Sequence, residues 1–284
     1  MSVGIRLVQS ASLRFDRDHR RERRLLWACR TPVTTDPLFY LVTAIAVTLI
    51  GLSKGGFFGL GVMGLPLMSL YVPPLQAAAI LLPVVMAQDV LTIWSYRRTW
   101  SAWNLKVMMP GMAAGIATGA LFAASLGAAH IRLAIGLIAA AFVLRHWLGE
   151  RFERLRFTPN AFTGALFGGI GGFTTLLANA GGPAWQIHLL PQGLDKFTYA
   201  GTLTLLFGIS NVMKVPALGA LGQLTSENLM FGAFLVPLAV VTNYIGLWLV
   251  RRISTELFFR FAYVLMFFIA IELMRSSLTE LYWQ

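Results

Sequence analysis

The sequence predicts an all-α polytopic membrane protein: about eight transmembrane segments in two related four-segment halves, the first segment of each half broken. Three observations predict it. Hydrophobic residues make up 57% of the chain and charged ones only 12%, with mean hydropathy +0.68, whereas a soluble domain carries about 25% charged residues. Apolar runs of roughly 20 residues recur, each long enough to cross a hydrocarbon core as a helix. The runs are rich in Ala, Leu and Gly without the two-residue alternation of barrel strands, and lipid-embedded backbone must satisfy its own hydrogen bonds.

In order, residues 1–36 read as a basic cytoplasmic tail carrying Arg6, Arg14, Arg17, Arg20, Arg21, Arg23, Arg24 and Arg30. No apolar stretch of signal-peptide character precedes residue 38, so the tail is expected to be partly disordered and to touch anionic headgroups. A first transmembrane repeat, 37–148, holds apolar segments at 38–72, 75–96, 105–127 and 131–148. A charged cytoplasmic linker, 149–159, follows. A second repeat, 160–275, holds segments at 160–190, 197–213, 228–250 and 257–275, and 276–284 is a C-terminal tail.

Charge sets orientation. The excess of 23 Lys+Arg over 12 Asp+Glu lies mostly beside apolar segments, which points to the lipid bilayer and not to nucleic acid. Alternating crossings from a cytoplasmic N-terminus leave 17 basic residues inside. Five lie outside: Arg132, Lys196, Arg251, Arg252 and Arg260. That bias predicts N-in and C-in, with the Arg251–Arg252 pair against the rule. The single Cys29 excludes an intrachain disulfide, and four histidines without HExxH or HxxxH spacing give no reason to expect a metal or cofactor.

A shift of 117 residues overlays Gly51 on Gly168, Gly55 on Gly172, Gly64 on Gly181, Pro66 on Pro183 and Pro74 on Pro191; a shift of 127 overlays Pro110 on Pro237 and Gly119 on Gly246. Duplication accounts for the retained Pro–Pro spacing. Four crossings per half make the halves parallel, and a re-entrant hairpin would change that parity.

The stretch Gly51-Leu52-Ser53-Lys54-Gly55 matches the G-x-S-x-G of a nucleophile elbow. An elbow needs a strand, a turn and a helix, and nothing nearby reads as a strand; the second-half counterpart, 168–172, has no serine. A catalytic Ser53 is therefore the weaker alternative. Glycines at four-residue spacing (51, 55, 59; 111, 115, 119; 164, 168, 172) let helix backbones approach, and packing alone suffices for 111–119. The other two sets run into GLGVMGLP and LLANAGGP. Helices broken at membrane depth are tolerated where buried in protein or lining a wet cavity, and paired breaks mark transporter sites.

The order of glycine-rich broken helix, proline-led second helix and basic loop, given twice, resembles the TauE/SafE family of sulfite exporters. The stretches GLSKGGFFGLGVMGLPLMSLYVPPLQAAAILLPVVMAQD and NAGGPAWQIHLLPQGLDKFTYAGTLTLLFGISNVMKVP carry it, and the similarity covers about residues 38–275. It implies an inner-membrane exporter of sulfite or small organosulfonates. Lys54, Phe57 and Phe58 stand where a more typical first motif is richer in consecutive glycines, which points towards a different substrate.

An anion at mid-membrane needs N–H donors or cations. Candidate binding residues are Lys54, Gly55, Gly61 and Gly64 at the first break, and Asn179, Gly181, Gly182 and Gln186 at the second. Gln88, Asp89 and Asn211 are candidates for coupling or gating, Asp89 because protonation would remove its charge. In straight, alternating helices Lys54 and Asp89 differ in depth by roughly 14 Å, so no direct pair is expected. Lys214 falls on Arg97 under the 117 shift and reads as a boundary cation. His188 reads as a solvated interfacial histidine, Trp94, Trp100 and Trp103 as an interfacial belt, and Glu272–Arg275 as a structural i,i+3 pair. The expected activity is alternating-access transport of a small anion, with a channel-like uniporter as the alternative. Homo-oligomerisation stays open.

Overall fold

The computed structural model describes residues 37–54, 61–148, 158–249 and 255–282, which form helices and short connections with no strand among them. In chain order these are α1 (Pro37–Lys54), α2 (Gly61–Met68), α3 (Pro74–Tyr96), α4 (Ala102–Ser125), α5 (Ala128–Trp147), α6 (Ala161–Ala178), α7 (Gly182–Leu189), a 3-10 turn (Leu190–Gln192), α8 (Lys196–Ala220), α9 (Ser226–Leu249) and α10 (Thr255–Tyr282). Seven are long and apolar enough to cross a membrane: α1, α3, α4, α5, α6, α8 and α9. The final expected segment is helical as α10, whose last turns carry Glu272, Arg275 and Glu280. Gly55, Phe57, Phe58, the tail, and Arg251 and Arg252 lie outside the described residues.

Polar residues start the long helices where the chain turns. Ser101 caps α4 by accepting from the Asn104 amide, Asn160 and Thr163 form a capping box on α6, and Asp195 accepts from the Phe197 and Thr198 amides on α8. The prolines inside α2, α3, α4, α8 and α9 each lack a donor but sit in helices packed on neighbours.

Contacts fix the directions of the helices. Phe39 stacks on Phe231 at 5.6 Å, and a methyl added at Gly51 would meet Thr242 Oγ1 at 2.0 Å, so α1 and α9 run parallel. Gly232 sits against Ile80 O, and Gln88 Nε2 donates to Ala239 O at 3.1 Å, so α3 also runs parallel to α9. Helices α1 and α3 therefore point the same way. Between them α2 runs back along α1, with Gly61 at Ser53 and Gly64 at Ile50 and Ala46 O. The second glycine-rich segment does the same: Gly171 faces Trp185 and Gly164 faces His188, so α7 returns along α6. Both segments are helical hairpins.

Each hairpin packs on a helix of the other half of the chain. Helix α6 lies parallel to α4 with backbones in near contact, a methyl at Gly168 falling 2.3 Å from Met108 O and one at Gly115 falling 2.0 Å from Gly169 O. Here both glycine rows, 111–119 and 164–172, are close-approach surfaces, as small residues permit. Helix α1 packs on α9 in the same sense. Helices α3 and α8 cross antiparallel at the centre, Gly201 against Thr99 O and Gly208 against Ile93. Helices α5 and α10 pair antiparallel outside them, from Arg132–Glu280 (2.7 Å) to Phe142–Tyr263.

Candidate functional site

The centre of the bundle holds an ion pair. Lys54 is the last residue of α1, and its Nζ donates to Asp89 Oδ1 of α3. Asp89 is 3% exposed, and its other oxygen accepts from Asn211 Nδ2 of α8 at 2.5 Å. The direct pair exceeds the sequence expectation, and the parallel course of α1 and α3 is the reason. Seventeen residues into α1 and fifteen into α3 are the same depth when both helices start at one end. The remaining Val90–Tyr96 carries α3 about 10 Å beyond the hairpin tip.

A second cation sits at the tip of the other hairpin. Lys214 of α8, 4% exposed, donates to Asn179 Oδ1 at 2.8 Å and faces Thr175 O at 3.4 Å and Thr175 Oγ1 at 3.5 Å. Three acceptors match the three donors of an ammonium. They lie at the C-terminal end of α6, where the helix dipole favours a cation. Asn179 adopts the left-handed conformation (φ 55°, ψ 28°) that ends α6, with its N–H directed at Thr174 O and Thr175 O. Asn tolerates this conformation better than other side-chain-bearing residues. Lys214 is thus buried, not a boundary cation: α8 starts 122 residues after α3, so the shift of 117 misplaces it.

Phe207 of α8 lies between the hairpins. Lys54 Nζ stands 4.8 Å from the centre of its ring, Trp185 of α7 packs on it edgewise at 4.9 Å, and a methyl at Gly182 would come within 3.0 Å of it. The first turn of α7 therefore faces an aromatic ring. Trp185 Nε1, Gln88 Oε1 and Asn211 Oδ1 are buried polar atoms that find no hydrogen-bond partner among the described residues. Arg145 Nη1 donates to Pro183 O at 2.6 Å from outside the second hairpin.

Of the residues singled out in the sequence, Lys54, Asp89 and Asn211 form one cluster, and Asn179 joins Lys214 in the next. Gly61, Gly64 and Gly181 are contact positions within their own hairpins, Gly181 facing Trp185 and Gly171 O. Gln88 ties α3 to α9, and Gln186 is half-buried on α7. Ser53 lies in the last turn of α1, not on a strand-to-helix turn. His188 is fully buried, stacked on Trp103 at 5.9 Å with Nδ1 3.2 Å from Thr163 Oγ1, which corrects its reading as a solvated residue. Phe207 was missed because a lone aromatic in an apolar helix gives no pattern to find. Among the described residues no cluster of His, Cys, Asp and Glu could hold a metal.

Seven helices long and apolar enough to cross a membrane define a multi-pass membrane protein. The chain belongs to the TauE/SafE family, whose model, described as sulfite exporter TauE/SafE, matches residues 43–273. No curated protein and no solved structure matches the chain.

Proposed function

We propose that the protein is an inner-membrane secondary transporter, an exporter of a small oxyanion such as sulfite or an organosulfonate. The observation that carries this reading is the pair of lysines, one at each hairpin tip: Lys54, half-buried, and Lys214, buried. A buried cation is costly in lipid unless it faces a partner or a water-filled path. Lys54 and Asn179 with Lys214 hold the anion; Asp89 and Asn211 tune it; Phe207 closes the path between the two tips.

The hairpin directions support alternating access by inverted repeats. In this arrangement α1–α2 enters from one side and returns, α3, α4 and α5 cross, α6–α7 enters from the opposite side, and α8, α9 and α10 cross. Six crossings leave both chain ends on one side and put Arg97, Arg98, Lys106 and Arg145 towards the opposite side, so the basic count made for eight crossings does not carry over. The repeats are then antiparallel, related by an axis in the membrane plane, where four crossings per half would have made them parallel. Matched details favour the duplication. Ser101 and Thr225 accept from the Asn104 and Asn228 amides at the starts of α4 and α9, and each Asn amide meets a glutamine of the other half, Gln192 and Gln76.

Sulfite and methanesulfonate flux into proteoliposomes tests the reading. Lys54→Ala and Lys214→Ala should each lower flux of protein that still folds, and unchanged flux in both removes the lysines from the path. A channel-like uniporter would show flux of a divalent oxyanion such as thiosulfate unaffected by an opposing pH gradient.

A further inference from the structure

The site contains its own anion. Asp89 is the one carboxylate described at the depth of two lysines: Lys54 pairs with it, and Lys214 lies about one helical turn from Asn211, which bonds its other oxygen. The helices packed closely on α3 are α1, α2, α5, α6, α8 and α9. Helix α1 brings Lys54, and α8 brings Asn211 and Lys214. Helices α2 and α6 carry no titratable residue. Helix α9 faces Gln88 with Ala239 and Thr242. Helix α5 brings Arg145, which is engaged with Pro183 O. With both lysines charged and Asp89 ionised, the site carries a net single positive charge.

A net charge left buried is disfavoured, so the occupant that best fits is the one that makes the sum zero. Resting on the transporter reading above, we infer that Asp89 sets the valence of the transported solute. A monovalent oxyanion enters with Asp89 ionised and brings no proton. A divalent oxyanion enters only when a proton from the aqueous face has bound Asp89 Oδ1 and broken its pair with Lys54, so solute and proton travel together. Asn211 keeps the site in place in both states, because its amide can donate to either form of the carboxyl group. Its unpartnered Oδ1 leaves the amide free of any competing restraint there.

The test uses the full chain in proteoliposomes with a trapped pH dye, and two probes of fixed charge, methanesulfonate and thiosulfate. In the wild type, thiosulfate flux should carry protons in the same direction and methanesulfonate flux should not. Asp89→Asn should uncouple thiosulfate from protons and lower methanesulfonate flux at least about tenfold, because an uncompensated buried charge would remain. Lys214→Gln should do the opposite and make methanesulfonate carry a proton. Equal proton movement with both probes in the wild type overturns the inference even if neither variant folds, while leaving anion transport standing. No flux and no binding of either probe or of sulfite overturns the transporter reading and this inference with it.

Discussion

Lys54 and Asp89 meet because the helices that carry them run the same way, with a short returning helix between. Alternating crossings would have held them at different depths. Breaking the pair therefore leaves one charge buried and unmatched, at a cost of about 3 kcal/mol or more. Asp89→Ala and Lys54→Ala should each lower the melting temperature in detergent. Lys54→Met combined with Asp89→Met should recover most of the loss without restoring transport. A double variant as unstable as the sum of the singles would show that the two side chains do not interact.

Asn179 has two roles that substitution separates. Asn179→Gly keeps the left-handed backbone and removes the partner of Lys214; Asn179→Ala removes the partner and strains the turn, by about 1 kcal/mol more. Thermal unfolding should rank wild type above Gly and Gly above Ala, while flux should fall in both. Equal stability of the Gly and Ala variants would deny the backbone role.

The α4–α6 seam has no room for side chains. Gly168→Val or Gly172→Val would drive a branched side chain into the Met108 or Met112 carbonyl, each 2.3 Å from the first added carbon. Overpacking of this kind costs about 2 kcal/mol or more. Both variants should unfold at lower temperature than Gly127→Val, where a first added carbon would approach only the His130 ring at 3.9 Å.

Asp195 caps α8 on the exposed surface. Hydrogen bonding with Thr198, first through its side chain and then its backbone, holds the carboxyl below its ordinary value. The ionised form is therefore the stabilising one. Its contribution is fully present above the ordinary carboxylate range and is lost as pH falls through the depressed value. Asp195→Asn should retain a cap and flatten this acid dependence of the melting temperature; an unchanged dependence would assign it to other groups.

Hydropathy made the helices legible, and glycine next to proline made both breaks legible, because each is a local property. Direction is not local. Nothing in 51–66 or 176–183 says whether the chain continues after a break or doubles back, and the depth of every later residue depends on that choice. Asp89 was placed at the wrong level relative to Lys54 for this reason. Lys214 was misread because the glycine overlay and the offset between the starts of α3 and α8 differ by five residues. Asn179 stands out in the sequence by its place in the break, but its contact with Lys214 does not.

Asp89 and Asn211 stand at the same position of α3 and α8, fifteen residues past the first, and touch at the bundle centre. Two identical halves would put the same residue at both places. Paired aspartates at such a distance could not both ionise and would have to share one proton; paired asparagines would carry no charge at all. A symmetric ancestor assembled from two copies of one half would face that choice, and a fused gene escapes it by letting one copy drift from the other. Under the duplication proposed above, the Asp–Asn mismatch is the place where joining the halves gives something that no homodimer could have.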